Sequence, residues 1–142
     1  MKLFVDTNVI LDWILAREHA FGVEAKQLIQ QAEQGKYDLY MSGGSVYTLS
    51  YVLEKSGLKG EELRNTMLRI LKLIPVISDS TMVYENACLS TFEDLEDAFQ
   101  YQLALGNPKL NFFITGNTND YLPFLSEVLP VLNPKEFLHL MA

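Results

Sequence analysis

The chain has 142 residues, 49% of them apolar and 20% charged, and its 18 acids against 11 lysines and arginines give a formal charge of -7. That length suits one domain, expected over residues 1–142, which buries roughly two-thirds of its unfolded surface without disulfides or structural metals. No apolar run approaches the ~20 residues of a membrane span. The start, MKLFVDT, meets an acid too soon for the centre of a secretory signal, so the expectation is a cytoplasmic protein with no membrane partner. The acidic balance excludes unaided attraction to nucleic acid: a polyanion would need a cation as a bridge, or a local basic patch. The lone Cys88 excludes an internal disulfide and, lacking zinc-type spacing with His, reads as a small core residue.

In chain order, KLFV reads as the first strand, and Leu11, Ile14 and Leu15 open the first helix. Ala25, Leu28, Ile29 and Ala32 recur at helical spacing and mark a second helix that stops near Gly35. DLYM is the second strand. Val46, Leu49 and Leu53 define a third helix closed by Gly57; Leu63, Met67, Ile70, Leu71 and Ile74 define a fourth that begins near Gly60. LIPVI is expected as a third strand with Pro75 at its edge, after which Asp79, Ser80 or Thr81 caps a helix holding Val83, Ala87 and Cys88. FEDLEDAFQYQLAL makes the next helix, ended by GNP, and NFFIT the fourth strand. VLPVL is an edge strand, because Pro130 cannot donate a ladder hydrogen bond, and PKEFLHLM is a terminal helix with Pro134 at its start. Strands alternating with helices predict a parallel sheet.

Such a sheet presents the C-terminal ends of its strands on one edge, where residues far apart in sequence converge. Asp6 ends the first strand; Thr115, Asn117 and Asp120 follow the fourth; Glu93, Asp94, Glu96 and Asp97 start the helix between. Asp94 and Asp97 share a helical face, and carboxylates held together repel unless they share protons or bind a cation. Magnesium or manganese answers with oxygen coordination, retained waters and one or two carboxylates. Each piece also has a plain structural role: Asp6 can cap a helix, FEDLED suits a helix dipole, and TGNTND is turn-like. Their joint placement on one sheet edge favours a site. His19 and His139 read as surface residues, and the Ser42–Ser45 turn lacks the lysine of a phosphate loop. Trp13, Phe21 and most tyrosines read as packing, and Lys55, Lys59, Arg64 and Arg69 as solvated charges.

FVDTNVILD at the start, FEDLEDAFQY in the middle and FFITGNTNDY near the end resemble the PIN domain family. The chain is most similar to the small single-domain VapC-type toxins, whose segments look like DTNVILD, EDALQ and T-x-N-x-x-D in the same order. The resemblance implies an α/β fold of three layers, α/β/α, with a five-stranded parallel sheet in the order 3-2-1-4-5. It also implies a Mg²⁺- or Mn²⁺-dependent ribonuclease that hydrolyses phosphodiesters to 5′-phosphate and 3′-hydroxyl ends. Carried over by position, Asp6, Asp97 and Asp120 are the catalytic and metal-binding acids; Thr7, Asn8, Asp94, Thr115 and Asn117 orient them or bound water. Implied partners are an RNA substrate, a small antitoxin, and a second copy of the chain across the third and fourth helices. Two positions depart from the family: Thr48 stands where many members carry a glutamate, and Asn117 where many carry an aspartate. That leaves a second reading open, a catalytically impaired PIN-like module that binds RNA or protein. A third, a haloacid-dehalogenase-like phosphatase with Asp6 as nucleophile, is weak because Asn8 stands where its second aspartate is needed.

Overall fold

Lys2–Val5 forms β1, and its Leu3, Phe4 and Val5 are wholly buried because neighbours cover it on both edges and both faces, as the unbroken apolar run requires. In this computed structural model, which describes residues 1–124 and 127–142, β2 (Asp38–Tyr40) lies parallel to β1 with Leu3 opposite Leu39. On the other side β3 (Phe112–Ile114) pairs in parallel with Val5 opposite Ile114, and β4 (Val131–Leu132) pairs in parallel with β3. The sheet order is β2-β1-β3-β4.

The described sheet therefore has four strands in place of the five expected in the order 3-2-1-4-5. LIPVI makes no strand: Pro75 has no N–H to offer, and the segment meets β2 through a single parallel bridge between Met41 and Val76. There the Met41 N–H donates to the Pro75 carbonyl at 3.1 Å and the Ile77 N–H to the Met41 carbonyl at 3.0 Å.

Alternation along β1 sorts the core into two faces. Leu3 and Val5 pack with α1 (Thr7–Ile14), α2 (Gly22–Glu33), α3 (Gly43–Lys55), α4 (Gly60–Leu73) and α7 (Pro134–Met141). Phe4 points the other way, to Phe113, Tyr121, and the Tyr101, Leu103 and Ala104 of α6 (Leu95–Leu105). Helix ends follow the expected chemistry. Gly35 takes φ +79° just past α2, a left-handed turn that costs glycine nothing. Asn133 and Glu136 form a reciprocal capping box around Pro134. Ser80 stands at the N-cap of α5 (Thr81–Leu89), without a side-chain bond.

Cys88 is exposed, which corrects its assignment to the core: α5 buries Ala87, and the next residue along a helix is turned about 100° away. His19 and His139 are exposed as expected. Among the described residues no helix is long and apolar enough to cross a membrane.

Candidate active site

Asp6 leaves β1 with extended backbone and occupies the N-cap of α1. Its carboxylate is held by neighbouring Asn8 and by side chains from distant segments. Oδ1 accepts from Gln100 Nε2 at 2.9 Å; Oδ2 accepts from Thr115 Oγ1 at 2.8 Å and Asn8 Nδ2 at 3.1 Å, with the Tyr121 hydroxyl at 3.5 Å. Sheet register explains the meeting: Val5 pairs with Ile114, so the next residues, Asp6 and Thr115, emerge side by side, and the Asp6 N–H donates to the Ile114 carbonyl at 2.9 Å. Asp6 is only 3% exposed. Burial pushes its carboxyl pKa up, opposed by the bonds from Thr115 and Gln100 and by the Thr7 and Asn8 N–H groups.

Neighbouring side chains fix this arrangement. Asn8 Oδ1 accepts from the Gly116 N–H at 3.0 Å, and Thr115 Oγ1 accepts from the Asn117 N–H at 3.1 Å, which ties the start of α1 to the turn after β3. Space there is tight: a Cβ on Gly116 would sit 3.4 Å from Asn8 Oδ1 and 3.5 Å from the Phe21 ring. Thr7 does not point at Asp6; its hydroxyl bonds the buried Ser45 Oγ at 2.7 Å and so links α1 to α3.

The second carboxylate comes from α6. Asp94 is its N-cap, with Oδ1 accepting the Asp97 N–H at 3.0 Å, a structural duty that spacing alone does not distinguish from metal binding. Asp97, in the first turn, is half-buried and its carboxyl is pushed up to about 7. Burial is the largest cause; the charges of Asp6, Asp94 and Asp120 add to it, and a hydrogen bond from Tyr121 opposes it. Glu96 is also raised, by burial and then by Asp94 and Asp6. Asp97 and the exposed Asp120 line a cleft of about 520 Å³ together with Phe92, Asp94, Asn119 and Pro123. A smaller cleft of about 150 Å³ brings Thr48 of α3 together with Glu96 and Gln100 of α6. A carboxylate, that of Glu96, thus lines the same cleft as Thr48. The side chain of Asn117 is exposed.

Two residues at the centre carry no role in the sequence reading. Gln100 lies one turn beyond Asp97, on the same face of α6. It clamps Asp6 through its amide nitrogen while its buried Oε1 has no hydrogen-bond partner among the described residues. Tyr121 follows Asp120 and is fully buried, and burial together with the Asp6 and Asp97 charges drives its hydroxyl pKa far upward, so it stays a donor. Only folding reveals either contact: Gln100 is 94 positions from Asp6 and Tyr121 is 115.

The donor set suits a hard cation, since mutually repelling carboxylates with raised pKa values gain from a positive charge between them. Among the described residues no three acids, histidines or cysteines stand ready to ligate one ion. The fit is therefore to a hard divalent cation held by one or two carboxylates with water completing the shell.

The sequence matches the family model described as PIN domain over residues 2–119. No curated protein matches it. Among solved structures, VapBC-1 from nontypeable Haemophilus influenzae is similar with a TM-score of 0.67 at 14% identity, over 95% of this chain and 99% of that one. VapBC2 from Rickettsia felis, bound to a DNA fragment from its promoter, is similar with a TM-score of 0.62 at 16% identity, over 94% of this chain and 98% of that one.

Proposed function

This chain belongs to the PIN domain family, and we propose that it is a metal-dependent ribonuclease, the toxin of a toxin–antitoxin pair acting in the cytoplasm. One observation carries the reading. The Asp6 carboxylate, buried at the C-terminal end of an interior strand, is held by Thr115, Asn8 and Gln100 beside Asp97. A residue needed only as a cap would not also be oriented by side chains from two distant segments.

Asp6 and Asp97 would hold Mg²⁺ or Mn²⁺, with Asp120 on the wall of the cleft. The ion would supply positive charge against a phosphodiester and acidify water. The chain's own residues do the rest. Gln100 and Thr115 fix one oxygen each of the Asp6 carboxylate, which sets the direction of its lone pairs. Asp94 fixes the first turn of α6, and with it Asp97. With its carboxyl at about 7, Asp97 would give up a proton near neutral pH to hold a cation. A net charge of -7 opposes the approach of RNA, and a bound cation would offset that repulsion at the cleft.

The two solved structures named above are VapBC proteins, which supports a small antitoxin as partner. A homodimer across α3 and α4 is part of the same reading; Tyr47 and Tyr51, one turn apart on α3, are 81% and 60% exposed. The test is incubation of a mixed RNA pool with the protein and Mn²⁺, then with EDTA: fragments are expected in the first and none in the second. Thr48 favours one other reading, a PIN-like module that has lost the chemistry and binds RNA or protein. Retention of RNA without fragments at any metal concentration would select it.

A further inference from the structure

A buried tyrosine hydroxyl is costly unless it is bonded, and phenylalanine would fill the same space without that cost. Tyr121 is fully buried, with its ring centroid 5.0 Å from Phe113 and 5.7 Å from both Phe92 and Tyr101. Aromatic neighbours hold the ring in place, so its oxygen occupies a defined point. That point lies 3.5 Å from Asp6 Oδ2, and the same hydroxyl lowers the pKa of the Asp97 carboxyl. One hydroxyl thus faces carboxylates from two different elements, the end of β1 and the first turn of α6. Asn8, Thr115 and Gln100 are bonded to Asp6 alone of the pair.

We propose that Tyr121 is a positioning residue for the metal site, its hydroxyl bridging Asp6 and Asp97 and setting the separation at which the two carboxylates receive a divalent cation. The inference rests on the proposed metal-dependent function and adds a residue to it. Without the bridge the buried Asp6 stays clamped by its other donors. The half-buried Asp97 is freed to turn toward water, and the cation must reorganise the pair on binding. Partners that orient metal ligands typically change affinity 10- to 100-fold when removed.

Calorimetric titration with Mn²⁺ alone tests this on the full chain, comparing wild type, Tyr121→Phe and Tyr101→Phe. Tyr101 is a control from the same aromatic cluster whose hydroxyl donates to the Leu129 carbonyl at 3.0 Å. Tyr121→Phe is expected to weaken Mn²⁺ binding about tenfold, and Tyr101→Phe to leave it at the wild-type value. Equal Mn²⁺ affinity in wild type and Tyr121→Phe overturns the proposal while leaving the metal site intact; equal weakening in both variants overturns it as a general effect of the cluster. A wild type that binds no Mn²⁺ overturns both this inference and the function on which it rests. Should Tyr121→Phe fail to fold, 3-fluorotyrosine placed at position 121 gives a second readout by fluorine NMR. A Mg²⁺-dependent shift is expected, and an unmoved resonance overturns the bridge.

Discussion

Replacing Asp97 by asparagine should stabilise the metal-free protein, and the gain should grow with pH. Asp97 has a folded pKa of about 7 against ~3.9 in an unfolded chain. Between those values the folded state holds a proton that the unfolded state has lost, so the carboxylate's contribution to stability falls as pH rises from about 4 to 7. Asparagine keeps the shape without the titration. From pH 5.5 upward a fully buried group would cost about 2 kcal/mol by the time it is ionised. Asp97 is half-exposed, and solvent screening reduces the figure to about 1 kcal/mol, or a melting shift of about 3 °C for a domain of this size. The assay is thermal unfolding in EDTA at pH 5.5 and pH 8. Asp97→Asn should melt higher than wild type at pH 8, by a margin about 3 °C larger than at pH 5.5. In excess Mn²⁺ the order should reverse, because the cation stabilises only a protein that binds it. A margin that is flat or shrinking with pH would refute the claim that Asp97 is held against its neighbours' charges.

Two other substitutions probe the same site. Thr115→Val removes the 2.8 Å donor to Asp6 Oδ2. It should cost about 1 to 3 kcal/mol in denaturant unfolding; unchanged stability would contradict the assignment of this bond as a hold on the buried carboxylate. Thr48→Glu adds a carboxylate to the cleft that Thr48 shares with Glu96 and Gln100. It should tighten Mn²⁺ binding several-fold in calorimetry while lowering the melting temperature in EDTA, and an unchanged affinity would show that Glu96 already meets that need.

Much of the frame is legible in the chain because burial on both faces writes itself as continuous apolar runs. KLFV and NFFIT became β1 and β3, and the glycines at 35 and 57 lie just beyond α2 and α3. LIPVI misled for a local reason: its composition suits a strand, but Pro75 removes a donor from the ladder and only a bridge to Met41 survives. Cys88 misled because composition says nothing of azimuth on a two-turn helix. At the site, Asp6 and Asp97 stand out as acids at the edge of apolar segments. The duty of Asp94 as an N-cap and the outward link from Thr7 to Ser45 emerge only from geometry. Gln100 and Tyr121 were hidden for a different reason: a lone amide or phenol carries no spacing signal, and what singles these two out is a parallel register that carries α6 and the turn after β3 to the end of β1.

The central claim is that the clamped Asp6 carboxylate serves RNA hydrolysis with a divalent cation. Its most direct test is the rate of RNA cleavage in Mn²⁺ by wild type and by Asp6→Asn, an exchange that keeps the size of the side chain and removes its charge. The account predicts metal-dependent fragments from wild type and a loss of at least about a hundredfold in the variant. Equal cleavage by the two proteins, or none by wild type, would contradict it.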